Sequence, residues 1–237
     1  MNRSMIRYLL SKLLLIEAGL LIVPLVVATI YHEPAKVFVS IGATMAILRG
    51  LGFLGSFQKP KDFHIDAKEG VLIVALCWIL WSFFGALPFV FSGQIPNIID
   101  GFFEVSSGFT TTGATIFPEV QSLPYCINFW RTFTHWIGGM GVLVFMMAVV
   151  SLADGRNMYL MKAESPGPSV SKLVPKVQST AKILYTIYLM LTVLQMILLL
   201  IGRMPLFDTV CLPFGTAGPG GFGIRNDSIA GYSTYNQ

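Results

Sequence analysis

The sequence predicts an all-α polytopic membrane protein, and three observations lead to this fold class. Of its 237 residues, 54% are hydrophobic and only 12% are charged, about half the charged share of an ordinary soluble domain. Five long apolar runs follow one another along the chain. The third and fifth runs are each followed by a short apolar segment and a Gly/Thr-rich loop. A water-soluble globule is therefore excluded.

The five apolar runs are each long enough to cross a membrane. A bilayer core of about 30 Å is spanned by an α-helix of about 20 mostly apolar residues. The predicted crossings are residues 8–31, 37–56, 70–92, 126–152 and 181–202. The first run resembles a secretory signal because Arg3, Arg7 and Lys12 precede it. It is longer than a signal core and lacks a small-residue cleavage pattern, so we expect a retained helix.

Lysine and arginine are unevenly distributed between the loops, and short cytoplasmic loops collect them. Basic residues cluster before the first crossing, between the second and third, and after the fourth. They are Arg3, Arg7, Lys12, Lys59, Lys61, Lys68, Arg156, Lys162, Lys172, Lys176 and Lys182. Neither residue type occurs between Lys68 and Arg131. We therefore expect a cytoplasmic N-terminus, with the loops around Gln94 and Gln121 outside the cell.

Two similar units follow the leading helices, each with a long helix, a short apolar segment and a Gly/Thr-rich loop. NIIDGFFEVSSGF (97–109) precedes TTTGATIF in the first unit, and PLFDTVCLPF (205–214) precedes GTAGPGGFG in the second. Such short segments cannot span a bilayer, so we expect re-entrant half helices. Irregular backbone at membrane depth is tolerated only where protein buries it or where it lines a water-filled cavity. The loops are therefore predicted to line a pore.

The first loop offers a row of oxygen dipoles to a dehydrated cation. Backbone carbonyls and Thr hydroxyls can replace the water around an ion without fixed charge. The row consists of Thr111, Thr112, Gly113, Ala114 and Thr115. Glycine at Gly113 permits backbone angles that other residues resist. Carbonyls rather than carboxylates suit a large, weakly hydrated monovalent ion.

The order of these segments resembles the Trk/Ktr/HKT superfamily of potassium transporters, and within it the bacterial TrkH/KtrB membrane subunits. The first-unit likeness includes the TTGAT-type loop and FWRTFTHWIGGMGVLVF (129–145) in the helix that follows it. In the second unit, FGTAGPGGFGIRNDSIAGYS (214–233) is similar to that family's next filter loop. The resemblance includes the leading helix pair (8–56) and implies four such units around a central pore. This sequence holds one complete unit and most of a second, like the N-terminal half of such a protein.

The resemblance places the family's filter glycine at Gly113 in the first unit and at Gly220 in the second. Gly221 is an alternative to Gly220, because the GPGGFG run aligns in more than one way. Pro219 stands where the family pattern has Thr or Ser, and proline has no hydroxyl and no N–H. Backbone contact with an ion can survive there, whereas a side-chain contact is lost. The K⁺ ligands expected in the second unit are Gly218, Pro219, Gly220 and Gly221.

The resemblance also implies partners for the complete protein. These are the lipid of a bacterial plasma membrane, a second copy in a homodimer, and a cytoplasmic nucleotide-binding regulatory subunit of the TrkA/KtrA type. No cofactor is expected beyond the transported K⁺, and no transition-metal site. The formal net charge of +4 is too small and too scattered to suggest nucleic-acid binding.

Ionisable residues near the loops have two interpretations each. Asp100 and Glu104 either lend negative potential to the outer mouth or offset the dipole of the half helix. Arg131 and His135 lie in the outer part of the fourth crossing, where charge is expensive. They serve either in anchoring and pairing with an outer carboxylate or in tuning the ion pathway.

The sequence predicts potassium uptake through a filter of backbone carbonyls, and no enzyme activity. The alternative is an intramembrane enzyme or a cofactor-binding helical bundle, which would place paired ionisable residues deep in two helices. No such pairs are evident. Three cysteines without a CxxC pair, Cys77, Cys126 and Cys211, indicate neither a disulfide framework nor a zinc site.

The chain is accordingly divided into five parts. These are a leading helix pair (1–58), a cytoplasmic loop (59–69), a first helix–loop–helix unit (70–152), a cytoplasmic linker (153–178) and a second unit (179–237) that stops before its final helix.

Overall fold

The computed structural model describes residues 2–60, 67–141 and 177–236, and within these ranges the chain forms eight α-helices and no strand. The helices are α1 (Arg3–Leu20), α2 (Ile22–Ile30), α3 (Ala35–Ser56), α4 (Ala67–Ser92), α5 (Ile98–Phe109), α6 (Tyr125–Gly139), α7 (Val177–Ile201) and α8 (Leu206–Ala217). The all-α prediction is confirmed. The predicted linkers 59–69 and 153–178 lie largely outside the described residues.

Four stretches are long and apolar enough to cross a membrane, and they match four of the five predicted crossings. They are Arg3–Ile30, Ala35–Ser56, Lys68–Ser92 and Lys182–Ile201. The remaining crossing, 126–152, is described only as far as residue 141, and α6 occupies its beginning. α5 and α8 each have 12 residues, too few to span a bilayer of about 30 Å. They are the two predicted half helices.

The first crossing is a broken helix rather than the single helix that the sequence predicts. α1 ends at Leu20, and α2 begins at Ile22. Pro24 lies in the first turn of α2, where its missing N–H leaves the Leu20 carbonyl oxygen without its usual helical partner. The helix is therefore interrupted at Leu21 and resumes from Ile22 to Ile30.

The core lies where α4, α5 and α6 meet around the last residue of α5. Phe109 is fully buried, and its ring centroid lies 5.4 Å from that of Trp81 on α4 and 6.4 Å from that of Trp130 on α6. The indole N–H of Trp130 donates to the Gly85 carbonyl oxygen over 2.9 Å. α1 packs against α3 and α4. The Phe109 ring at the end of α5 is thus held between Trp81 of α4 and Trp130 of α6.

Contacts between the connecting segments show which ends of the helices lie together. Arg7 near the start of α1 donates from Nη2 to the Gln58 side-chain oxygen just beyond α3, over 3.1 Å. At the other end of these helices, Tyr31 stacks on Tyr125 with centroids 4.2 Å apart, and the Tyr125 N–H donates to Glu33. The basic N-terminal segment and the segment after α3 therefore share one end of the bundle.

Candidate functional site

The segment after α5 leaves helical geometry at once, and this first loop (residues 110–116) contains two residues with positive φ. Thr111 has φ 54° and Gly113 has φ 76°. The N–H groups of Thr112 and Gly113 donate to the Ser107 carbonyl oxygen over 3.0 and 3.4 Å. The end of α5 is thus capped by the backbone that follows it. Gly113 suits this turn because left-handed backbone is costly for a residue with a Cβ.

The segment after α8, the second loop (residues 218–224), repeats this cap. Gly221 has φ 69°, and its N–H donates over 2.9 Å to the carbonyl oxygen six residues earlier, that of Gly215. α8 begins 108 residues after α5 and has the same length, so each second-loop residue has a counterpart 108 positions earlier. The structural counterpart of Gly113 is therefore Gly221, the alternative in the sequence alignment, rather than Gly220.

The two loops lie against each other at the level of the backbone. A Cβ built on Gly113 would collide with the Gly220 carbonyl oxygen, and one built on Gly220 would collide with the Thr111 carbonyl oxygen. In contrast, no atom lies within 4 Å of the position that a Cβ on Gly221 would occupy. Gly113 and Gly220 therefore determine how closely the loops approach each other, whereas Gly221 is needed for the positive φ of the turn.

The predicted ion ligands differ in how much of each is exposed. Those on the surface are Thr112, Ala114, Thr115, Pro219 and Gly221; those half-buried are Thr111, Gly113 and Gly220; and Gly218 is buried. Neither loop contains a charged residue. The exposed part of the site thus consists of backbone and hydroxyl groups without fixed charge, which is the chemistry of a carbonyl-based cation site.

Gly218 faces a histidine on α6 rather than open space. Its carbonyl oxygen lies 2.8 Å from His135 Nε2, and the same nitrogen lies 3.1 Å from the Gly220 backbone nitrogen. The imidazole is fully buried and stacks on the Phe222 ring with centroids 5.4 Å apart. Because its oxygen already has a partner in the protein, Gly218 is the least available of the predicted ion ligands.

Two glycines allow α6 to approach the base of both loops. A Cβ on Gly138 would collide with the carbonyl oxygen of Phe109, where α5 ends. A Cβ on Gly139 would lie 2.9 Å from the Gly218 Cα and 2.6 Å from the Tyr188 hydroxyl oxygen. The small residues of α6 therefore position both loops as well as allowing close helix packing.

The two carboxylates predicted at the outer mouth have different surroundings. Asp100 is exposed in the first turn of α5, where a negative charge offsets the helix dipole. Glu104 is fully buried, and its Oε1 accepts a hydrogen bond from Arg131 Nε over 2.6 Å. Glu104 therefore lies in the interior, where Arg131 compensates its charge. Of the two interpretations of Arg131, the structure supports pairing with a carboxylate.

Asp208 occupies the position in α8 that Asp100 occupies in α5, and it belongs to a small polar cluster. Its Oδ2 accepts hydrogen bonds from Tyr232 over 2.7 Å and from Arg225 over 3.3 Å. Burial, together with the hydrogen bond to Asp208, raises the pKa of Tyr232. The phenol therefore stays protonated and donates a hydrogen bond to the carboxylate. The cluster fastens the segment after the second loop to the start of α8.

Comparison with known proteins places the chain in a family. A family model for TrkH, described as a cation transport protein, matches residues 36–236. The chain belongs to the TrkH family. This confirms the resemblance found in the sequence, and it favours transport over the alternative of an intramembrane enzyme.

Individual members of the TrkH family resemble the chain over nearly its whole length. A Trk system potassium uptake protein TrkH of Salmonella typhimurium is 37% identical over 234 residues, which are 97% of this chain and 48% of the relative. A Trk system potassium uptake protein TrkG of Escherichia coli is 32% identical over 214 residues, 90% of this chain and 44% of the relative. The chain spans about half the length of the curated TrkH relatives that it matches.

A solved structure confirms the fold of this TrkH family member. The crystal structure of the potassium transporter TrkH from Vibrio parahaemolyticus superposes with a TM-score of 0.80 at 30% identity. The match covers 100% of this chain and 47% of that one. Together with the four apolar stretches long enough to span a bilayer, this makes the chain a multi-pass membrane protein.

His135 contacts the second loop at Gly218 and at Phe222, although neither His135 nor Phe222 was among the ion ligands that the sequence predicted. An ionisable residue inside a membrane helix is in itself a signal of function, and His135 carried that signal. Its partner was hidden because 83 residues separate it from Gly218. Phe222 stands in a glycine-rich run and carries no signal of its own. Only the packing of α6 against the second loop in this TrkH family member connects the two residues.

Proposed function

We propose that the complete protein takes up K⁺ across the plasma membrane, and that the two loops of this chain contribute two strands of its selectivity filter. The observation that carries the proposal is the contact between two uncharged, unwound segments, each following a half helix, at Gly113 and Gly220. Backbone carbonyls in such segments can replace the hydration shell of a weakly hydrated cation. The filter residues are those of the first loop from Thr111 to Thr115 and those of the second from Gly218 to Gly221.

The filter proposal is tested by Gly113→Ser in the complete protein. The new side chain would meet the Gly220 carbonyl oxygen at a backbone angle that favours glycine. We expect the preference for Rb⁺ over Na⁺ in uptake measurements to fall about tenfold, or about 1.4 kcal/mol. Membrane abundance should stay within about twofold, because the substitution adds one small side chain in a loop.

A matched control is Gly42→Ser on α3, where no atom lies within 4 Å of the added Cβ. It should leave both selectivity and abundance unchanged. If Gly113→Ser at normal abundance keeps wild-type ion preference, the loops are not the filter.

We also propose that the N-terminus is cytoplasmic. The bias of Lys and Arg supports this orientation, as does the contact of Arg7 with Gln58, which brings two basic segments to one end of the bundle. The test uses single cysteines in the complete protein. An impermeant thiol reagent added outside intact cells should label Gln121→Cys and leave Lys59→Cys unlabelled. The reverse result would invert the orientation.

The partners proposed for the complete protein are a second copy and a cytoplasmic nucleotide-binding regulatory subunit of the TrkA/KtrA type. The relatives named as Trk system proteins support a system with further components. Cross-linking of two differently tagged copies in membranes tests the dimer. Copurification with the regulatory subunit tests the second partner, and absence of the subunit from the purified transporter would contradict it.

A further inference from the structure

Arg131 and Glu104 form a buried ion pair beside the proposed filter. The side chains are 2% and 0% exposed, and the Arg131 Nε lies 2.6 Å from the Glu104 Oε1. A charge inside a membrane protein is expensive unless it has a partner. A buried pair also needs further hydrogen bonds around it, because attraction between the two charges alone does not offset their desolvation. The further hydrogen-bond partners of Glu104 and Arg131 therefore indicate the role of the pair.

The carboxylate of Glu104 holds the end of the first loop. Its Oε1 also accepts a hydrogen bond from the Thr115 hydroxyl over 2.8 Å, and its Oε2 accepts one from the Ile116 N–H over 2.9 Å. Both donors follow Gly113 by two or three residues. Glu104 lies one and a half turns before the end of α5, so it ties this half helix to the strand of backbone that leaves the loop.

The guanidinium of Arg131 holds the corresponding part of the second loop. Its Nη1 donates to the Gly223 carbonyl oxygen over 2.7 Å, and its central carbon lies 3.6 Å from the centroid of the Phe222 ring. These two residues follow Gly221 directly. A planar guanidinium can bond a carboxylate at one edge and a carbonyl at another while stacking on an aromatic ring, which an ammonium group cannot do.

The pair therefore joins the end of the first loop to the end of the second. We infer that Glu104 and Arg131 are positioning residues that fix the spacing of the two loops and thereby the discrimination between K⁺ and Na⁺. This inference rests on the proposed filter. The pair is not a feature of each unit, since the position in α8 that corresponds to Glu104 is Leu212. Among the described residues, this pair holds both loops.

The test is Arg131→Lys in the complete protein. Lysine keeps the positive charge beside Glu104 but cannot also reach Gly223 and cover the Phe222 ring. We expect the Rb⁺ over Na⁺ preference to fall about fivefold, while abundance stays within about twofold. The preference is a ratio of two ions and does not depend on how many transporters reach the membrane. Unchanged preference at measurable abundance overturns the inference.

Arg225→Lys is the matched control, because it makes the same chemical change two residues beyond Gly223. Arg225 pairs with Asp208 over 3.3 Å at the surface of the second unit, with 35% of its side chain exposed. We expect no change in ion preference. An equal loss of ion preference in Arg225→Lys and Arg131→Lys would mean that any arginine near the second loop matters. The inference that Glu104 and Arg131 position the loops would then be rejected.

A double variant separates positioning from charge compensation. Glu104→Gln alone leaves the Arg131 charge unpaired and should lower abundance, whereas Glu104→Gln with Arg131→Gln removes both charges and should restore it. We expect ion preference to stay low in the double variant, because the shorter side chain in Arg131→Gln no longer reaches the Gly223 carbonyl oxygen or covers the Phe222 ring, so the link to the second loop is lost. Recovery of preference together with abundance would show that the pair only compensates charge.

Two further results keep the inference and the proposed function apart. If Arg131→Lys does not reach the membrane, Phe222→Leu is tested instead, because it retains both charges and removes the ring beneath the guanidinium. It should lower ion preference about twofold. Unchanged preference would reject the positioning role of the pair. Loss of ion preference in Gly113→Ser, with no loss in the Arg131 and Phe222 variants, would reject the positioning role of the pair and leave the filter proposal standing. No loss in Gly113→Ser rejects the filter itself.

Discussion

The two loops share their backbone turn but differ in what holds it. In the first loop, the Thr110 and Thr112 hydroxyls hydrogen-bond to each other over 2.8 Å, and the Thr110 hydroxyl donates to the Ser106 carbonyl oxygen over 2.7 Å. The second loop contains no hydroxyl, and His135 of α6 contacts its backbone instead. The same turn can therefore be supported by its own side chains or by a neighbouring helix.

Proline explains where the two loops diverge. Thr111 has φ 54°, but its counterpart is Pro219, whose ring holds φ near −65°. The residue before a proline is pushed towards extended backbone. Gly218 accordingly has ψ 113°, whereas its counterpart Thr110 has ψ 4°. The loops converge again at Gly113 and Gly221, which both have positive φ.

The largest effect is expected where the loops touch. Gly220→Ala in the complete protein adds a methyl group against the Thr111 carbonyl oxygen and the His135 ring. The loops must separate, and we expect the Rb⁺ over Na⁺ preference to fall about tenfold. Uptake of both ions at matched transporter abundance measures this. Gly50→Ala on α3, with no atom within 4 Å of its Cβ position, should have no effect.

An intermediate effect is expected at Gly221, where the turn rather than the contact requires glycine. Gly221→Ala meets no neighbouring atom, but left-handed alanine costs about 1 kcal/mol. Ion preference should fall about threefold to fivefold. Gly221→Asn should lose less than Gly221→Ala, because asparagine tolerates this conformation better. Equal losses for alanine at Gly220 and Gly221 would show that the contact between loops is not what distinguishes them.

The smallest effect is expected when the second loop is made more like the first. Pro219→Thr restores a hydroxyl and an N–H while the backbone carbonyl remains. Because His135 still holds Gly218, we expect ion preference to stay within about twofold, or about 0.4 kcal/mol. The same uptake ratio measures it. A loss as large as that of Gly220→Ala would show that Pro219 itself fixes the geometry of the second loop.

Most of the fold follows from hydropathy and length. The apolar runs predicted the four spanning stretches observed among the described residues. The short apolar segments that follow two of these runs predicted α5 and α8. The break at Leu21 was missed because a run of apolar residues continues through it, and only the missing N–H of Pro24 indicates the interruption. The division of the chain into five parts stays a prediction, since both proposed linkers lie largely outside the described residues.

The candidate site was harder to predict in its details. The matching positions of Asp100 and Asp208 revealed the repeat, but glycines carry no side chain by which GPGGFG can be aligned, and the sign of φ at Gly221 was needed. Burial of Glu104 depends on Arg131, which lies 27 residues away beyond a polar spacer. Contacts between distant segments are set by packing, and spacing along the chain does not reveal them.

The pairing of Arg131 with Glu104 has a consequence for the order in which the chain enters the bilayer. The described part of α6 carries Asn128, Arg131, Thr132, Thr134 and His135, and an arginine in a membrane helix raises the free energy of insertion, by about 2.5–3.5 kcal/mol at the helix centre and by less towards its ends. That cost falls only when the carboxylate of α5 is already beside the guanidinium. α5, the first loop and α6 are therefore most readily inserted together as one hairpin, which would bring the first loop to membrane depth already tied to α6 before the second loop is translated.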